Sequence, residues 1–563
     1  MRPCILETTT LIRCLAIACL WGFLSVFISC NEPPPPKKVE IVREPALLNP
    51  KTGEIIRQAL NYAKENKGKV DDSILLMEAE IVAMAYQEQP VRRIWSNERQ
   101  WLPGSDSLFS FIEHAERYGF FPDDYHHLHL TFLRNKLKDS AAQTDAALWA
   151  RAELALTDAF AHLYRHLKWG RLERDSISLR KDTVLDKSSL MTMMRSVAQG
   201  DSLIARFGSL EPIHPGYHAL KASLPMFLDT MDRKHYTYVQ WPKKDTVSYI
   251  RELQSRLFEE GYLSFDQPVA DSLTMSDAIR KAQVDRRLKV DGKPGPQLIG
   301  SLNHNGREQF IRIAMNLDRY KLLPEEMPVK YIWVNLPAYR LQFMDSGIQR
   351  MESKVIIGQA RTRTPVLNSS VVNFITMPQW TVPYSIIFNE MLPKIQKSTK
   401  YLLKENLMVV DRYDSIIPPD SINWMALNKK NFPYLLKQRQ GDDNSLGVIK
   451  FNFRNKYDVY MHDTNARGLF NRSNRAMSHG CVRVQRWDSL ARYLTVTDTL
   501  KHHPDSISQW IGRGEKKVVV LRERVPIYFR YFTVLAEEDQ IRFLEDIYGE
   551  DKILRDRYLN SKY

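Results

Sequence analysis

Cys481 is where the sequence concentrates its chemistry. Of the five cysteines, Cys4, Cys14, Cys19 and Cys30 lie within the first thirty residues, so the rest of the 563-residue chain carries a single thiol. It sits in Ser478-His479-Gly480-Cys481-Val482-Arg483, with His462 nineteen positions upstream. A free thiol has a pKa of about 8.5 and is mostly protonated near neutrality, and a neighbouring imidazole is the usual means of making the nucleophilic thiolate. His462 can take that proton and later return it to a leaving amine. Arg483 offers a fixed cation suited to a substrate carboxylate, and backbone N–H groups at Gly480 and Cys481 can stabilise an oxyanion. These residues imply acyl transfer through a thioester. A lone cysteine is more often a small buried hydrophobe, but Ser-His-Gly-Cys should fall together by chance in a chain this long only on the order of once in a thousand.

The elements that must position these groups are legible nearby. Tyr457, Val459 and Met461 alternate with Asp458, Tyr460 and His462, the period of a half-buried strand, which puts Tyr460 and His462 on one face. Ile449, Phe451 and Phe453 repeat the alternation, and Arg454-Asn455-Lys456 reads as a hairpin connection. Asp463 to Ala476 is irregular, with Leu469-Phe470 as an apolar plug. Gly480 lets the backbone turn closely beside Cys481, and an extended continuation points Cys481 and Arg483 the same way. Asp488 is expected to cap a helix carrying Leu490, Tyr493 and Leu494. Each residue also has a plainer role open to it: His479 as a structural hydrogen-bonder, Arg483 as a surface charge, Tyr460 as packing, and Trp380 as core. His462, His479 and Cys481 lack the close pairs of zinc sites, so no metal and no cofactor is expected.

His462-Asp463-Thr464 followed by Ser478-His479-Gly480-Cys481-Val482-Arg483-Val484 resembles the signature of the L,D-transpeptidases, cysteine enzymes that cross-link peptidoglycan stems. Tyr331 to Leu341 is similar to the opening strands of their catalytic domain, and Met377-Pro378-Gln379-Trp380-Thr381-Val382-Pro383 to their Pro-x-Trp-x-Val-Pro segment. The resemblance covers residues 329–507. It implies a multidomain α+β protein whose β-rich catalytic domain carries a helical insertion, a lid over the cleft, at 389–447. It implies Cys481 as nucleophile and His462 as base and acid, the latter oriented by a backbone carbonyl just after it. Ser478, His479 and Gly480 would shape the site, with Arg483, Tyr460 and Trp380 beside the substrate. The implied reaction is attack on the third stem residue, commonly diaminopimelate, with release of D-alanine and resolution by a neighbouring stem amine into a 3→3 cross-link.

At the other end, Arg2 and Arg13 precede an apolar run from Cys14 to Ile28, the length of a signal-peptide core and short of the ~20 residues a spanning helix needs. Phe27-Ile28-Ser29-Cys30, followed by Asn31-Glu32 and four prolines, resembles a bacterial lipobox, implying a signal peptide over 1–29, lipidation of Cys30 and a tether over 30–69. Acyl chains on Cys30 would hold the body on a membrane facing the periplasm of a Gram-negative-type cell.

Residues 70–244 are predicted to be mainly helical, with Leu108, Ile112 and Ala115 on one face and Leu154, Ala159, Leu163 and Leu167 on another, as in the N-terminal scaffold of the resembling enzymes. Residues 245–305 read as a small three-helix module, with Ser276 as a helix N-cap. Leu253-Gln254 and Asp291-Gly292 with Gly295 make it similar to peptidoglycan-binding domains, although Ala282-Gln283 stands where Phe-Gln is common. Residues 508–563 are expected to add strands and a loose charged tail from Arg555. The net charge of +14, from 80 basic and 66 acidic residues, is dispersed and favours lipid head groups and stem carboxylates over nucleic acid. Three functions stand: a transpeptidase, an L,D-carboxypeptidase in which water replaces the amine, and a noncatalytic wall-binding lipoprotein.

Overall fold

The structure, a computed structural model, describes residues 34–560 apart from 173–183, 242–244, 265–270, 497–502 and 539. The signal peptide and Cys30 lie outside the described residues. Helix α1 (Pro45–Glu65) starts with proline at its first turn, where the missing N–H costs nothing. It buries Leu48, Thr52, Ile55, Ile56, Ala59 and Ala63, a stripe at helical spacing, against α2 (Ala146–Trp169). A tether reaching residue 69 is therefore not what the chain forms. Twenty of the 24 residues of α2 are buried, and it is the hub around which the N-terminal helices pack.

Helix α3 (Pro215–Thr230) leads to the small module, α4 (Thr246–Glu259), α5 (Ser272–Asp285) and α6 (Pro296–Leu302), which has its own core of Leu253, Leu257, Ile279, Ala282, Leu298 and Leu302. Asp271, not Ser276, caps α5; Ser276 lies inside the helix and its hydroxyl donates to the Gly292 carbonyl. Gln283 clasps the turn by accepting the N–H groups of Asp291 (3.0 Å) and Gly292 (2.9 Å), and Gly292 suits that turn because its φ is +68°. Helix α7 (Gly306–Lys321) follows, and with α3 it packs on the barrel through Phe310, Ile313, Leu317, Tyr320, Trp333, Tyr528 and Phe532. Among the described residues no helix is long and apolar enough to cross a membrane.

The C-terminal half is built on β1 (Lys330–Asn335), β2 (Arg340–Asp345), β3 (Ile348–Gly358), β4 (Leu367–Thr376), β5 (Ile449–Phe453), β6 (Met461–His462), β7 (Ala476–Ser478), β8 (Val482–Val484) and β9 (Val518–Arg530). The order β3-β8-β6-β5-β4-β9-β1-β2 closes through β2–β3 pairing into an eight-stranded barrel, with β7 added beside β3. Its inward residues, among them Val355, Val371, Phe374, Phe451, Met461, Val482, Val484, Ile527 and Phe529, form one core. Within the region expected to add strands, Val518–Arg530 is one strand with an irregularity between Val520 and Val525. That strand, β9, lies between β4 and β1, so the barrel extends past residue 507.

Two further expectations change. Asp488 lies in the first turn of its helix without capping it; Arg486 occupies that place. The charged tail is helix α8 (Glu550–Asn560), fixed on α7 by Arg555, which donates to both oxygens of Glu308 at 2.5 Å, and by buried Tyr558. The insertion is not purely helical. Strands 380–381, 407–410 and 435–438 form a small antiparallel sheet over helical segments, sharing a core of Val382, Ile387, Ile395, Leu402, Val409 and Leu436.

Candidate active site

The separation of His462 from Cys481 follows from topology. β6 and β8 run parallel, Met461 beside Val482 and His462 beside Arg483. Parallel neighbours need a crossover of a dozen residues or more, and the loop between His462 and Cys481 is that crossover. It is held by Phe470, buried at 1% exposure as the expected plug, and by Asp463, whose carboxylate accepts from Val448 N–H (3.1 Å) and Arg467 (2.9 Å).

Met461, Val482 and Val484 point into the barrel, so the alternate residues Tyr460, His462, Cys481 and Arg483 share its outer face. Val482 N–H donates to the Tyr460 carbonyl at 3.0 Å, fixing Tyr460 beside Cys481. The Tyr460 and His462 ring centroids are 5.6 Å apart. The same face continues onto β5, where Lys450 pairs with His462 and its ammonium lies 4.0 Å from the Tyr460 ring centroid. Sequence reading passed over Lys450, although its place between inward Ile449 and Phe451 was signal enough.

The nucleophile turn is braced from behind. Gly480 has φ +123°, a conformation side chains resist. Its carbonyl accepts from Thr364 Oγ1 at 2.7 Å, while that oxygen accepts from Gly358 N–H at 2.9 Å. Tyr548 completes the brace: its hydroxyl donates to the Gly358 carbonyl (2.7 Å) and accepts from Thr364 N–H (3.1 Å). Thr364 and Tyr548 lie far from Cys481 in sequence, and no local pattern pointed to them. Buried Ser478 donates from Oγ to the Cys481 carbonyl at 2.6 Å and accepts from Gly480 N–H at 3.1 Å. The Gly480 N–H is thereby committed, whereas the His479 and Cys481 N–H groups have no partner among the described residues. An oxyanion stabilised by both amides is not what the turn offers.

The insertion sits over this face. The Trp380 indole faces the Tyr460 hydroxyl, and exposed His479 bonds Glu390 of the insertion through Nε2 at 2.7 Å. His479 thus latches insertion to nucleophile loop. Trp380, half-buried on the insertion's edge strand, touches both the insertion's core and the catalytic face.

Electrostatics set the resting state. His462 is 4% exposed and its Nδ1 has no hydrogen-bond partner among the described residues. Burial, then the Arg483 charge, and further the Lys450 charge push its pKa down to about 3, against opposing pulls from the Asp463 and Leu446 carbonyls. The Asp463 carbonyl just after His462 acts on the ring as the expected orienting group, although the contact falls short of full hydrogen-bond geometry at Nδ1. Cys481 keeps partial solvent access, yet crowding by its neighbours raises its pKa above the ordinary value, opposed by Tyr460, Lys450 and Arg483. The pair at rest is thiol and neutral imidazole rather than thiolate and imidazolium. Arg483 donates to Thr464 Oγ1 at 3.3 Å, and its buried Nε has no partner among the described residues. Such a face can accept a proton from sulfur as attack proceeds, and it can bind an anion.

Residues 329–520 match the L,D-transpeptidase catalytic domain family, and residues 80–224 match the Scaffold domain family. A Haemophilus influenzae protein provisionally named an L,D-transpeptidase is 36% identical over 245 residues, 43% of this chain and 48% of that protein. The chain thus spans about half the length of the curated relative it matches. The solved structure titled "Structure of the Ldtfm-avibactam carbamoyl enzyme" is 10% identical, covering 38% of this chain and 61% of that one with a TM-score of 0.17, a likeness too slight to carry an argument.

Proposed function

We propose that this protein is a peptidoglycan L,D-transpeptidase. The observation that carries the reading is the meeting of Cys481, His462, Tyr460 and Arg483 on one outward face of a parallel strand pair, beneath the insertion, within a region similar to L,D-transpeptidase catalytic domains. In this reading the Cys481 sulfur attacks the carbonyl carbon of the third stem residue while its proton passes to His462. The carbon–nitrogen bond to D-alanine breaks and His462 returns the proton to the departing amine. A neighbouring stem amine then attacks the thioester, its proton passing through His462 to the sulfur as the carbon–sulfur bond opens, and a 3→3 cross-link results. Cys481 N–H is the backbone donor for the oxyanion.

The high thiol pKa and low imidazole pKa favour proton transfer concerted with attack over a preformed ion pair. Acylated Cys30 would hold the enzyme on a membrane, facing the wall in the periplasm. Incubation of the protein with disaccharide-tetrapeptide, followed by mass analysis, tests the reading. Cross-linked dimer with a transient Cys481 adduct is expected; tripeptide alone would make the protein a carboxypeptidase, and no product or adduct would leave only a wall-binding role.

A further inference from the structure

The face around the thiol carries two cations, Lys450 and Arg483, that no carboxylate of the described residues pairs with. Lys450 on β5 is paired with His462 on β6, and His462 with Arg483 on β8, so the three form one row across the barrel's outer surface. At the usual strand spacing the Cα atoms of the two cations are about 10 Å apart. The Lys450 side chain is half-buried and leans over the Tyr460 ring, and its charge reaches Cys481. Its ammonium therefore lies on the thiol side of the row. Among the described residues neither Lys450 nor Arg483 has an ion-pair partner, while Asp463, next to His462, is engaged by Arg467, and Glu390 of the insertion by His479. Withdrawing cations from water is costly unless an anion meets them, so two half-buried cations without ion-pair partners on one face form an anion receptor.

The donor of the proposed reaction brings such an anion. A tetrapeptide stem ends in a carboxylate one residue beyond the attacked carbonyl, at most about 3.6 Å of extended chain away, and a pentapeptide ends one residue further. Resting on the transpeptidase reading, we propose that Lys450 is a specificity-determining residue that receives the terminal carboxylate of the departing residue, so that the site reads the end of the stem as well as the bond it breaks. A seated carboxylate also offsets the positive field of Lys450 and Arg483 on His462, whose ring otherwise faces Tyr460 and the Asp463 and Leu446 carbonyls. The base thus gains proton affinity when the correct donor is bound.

The test compares two donors on the full chain: disaccharide-tetrapeptide with a free terminal carboxylate, and the same molecule with that group as a carboxamide. The parent should prefer the free acid in kcat/KM by roughly 10- to 100-fold, the range of a charge-assisted hydrogen bond. Lys450→Met should collapse that ratio towards one, chiefly through KM for the acid donor. Lys450→Arg should restore a ratio above roughly tenfold, and Lys450→Gln, a milder change for folding, should behave like the Met variant. A parent that does not discriminate, or Lys450→Met and Lys450→Gln variants that slow both donors equally and keep the parent's ratio, would overturn the assignment. A parent that turns over neither donor would instead remove the transpeptidase reading, and this assignment with it.

Discussion

Glu153, in the middle of α2, and His462, on the barrel face, are 0% and 4% exposed, yet their surroundings are opposite. The Glu153 carboxylate accepts from Ile94 N–H (2.8 Å), Trp95 N–H, Ser96 Oγ and the Tyr86 hydroxyl (2.9 Å), and the buried Arg93 guanidinium lies 3.8 Å away. Next to it, Thr157 Oγ1 accepts from the Trp95 indole at 2.9 Å. Around His462, by contrast, Nδ1 and the Arg483 Nε are buried without partners among the described residues, and there Lys450 and Arg483 have no counter-ion. The Glu153 carboxylate is satisfied within the protein, whereas the unmet groups around His462 lie on the outer face beside the thiol, where a substrate can supply what is missing.

The sharpest way to probe this contrast is at the sulfur. Cys481→Ala should lower cross-linking and hydrolysis by about a millionfold while leaving thermal unfolding unchanged, because the site's groups contribute to reaction and not to the core. Product assays with parallel calorimetry measure both, and a rate near the parent's would rule out the thioester route. On the scaffold side, Glu153→Ala strands a buried arginine and should cost about 3–5 kcal/mol of stability, read from urea unfolding. A loss under about 1 kcal/mol would show that the network is not what holds the scaffold.

His462 should also leave a signature in stability. Its folded pKa of about 3 lies below the ordinary 6.5, so between those values the unfolded chain binds a proton that the folded chain does not, and stability falls as pH drops. From pH 6.5 to 5 the loss is about 2 kcal/mol, and His462→Gln should remove that part of the slope; identical slopes in parent and variant would contradict a neutral buried imidazole. Gly480→Ala places a side chain at φ +123° and should cost about 1–2 kcal/mol, with a fall in turnover as the nucleophile turn shifts. Unaltered melting and turnover would mean the turn tolerates a Cβ. The smallest effect is a null one: with neutral imidazole at rest, His462→Ala should leave the pH midpoint for alkylation of Cys481 within about half a unit of the parent's, while transfer is lost. A clear upward shift would instead support a resting ion pair.

Much of the site could be read locally. Period-two alternation placed Tyr460 and His462 on one face, and a glycine before Cys481 marked the strained turn. The stripe Leu48, Thr52, Ile55, Ile56, Ala59 and Ala63 was equally plain, but the neighbouring prolines suggested a tether, and Pro45 proves to start a helix. Closure of the barrel by β9 was not legible, since strand pairing between residues 518–530 and 330–335 leaves no mark on either segment alone.

By itself, then, the order of residues determined which groups could react, the faces their strands present and the long crossover that a histidine and a cysteine on parallel neighbours require. Tertiary structure alone decided the protonation of that pair, because burial and the charges of Lys450 and Arg483 act through space. It also decided which distant side chains, Thr364 and Tyr548, hold the nucleophile turn, since a hydrogen bond depends on where the chain folds back and not on how far along it the partner lies.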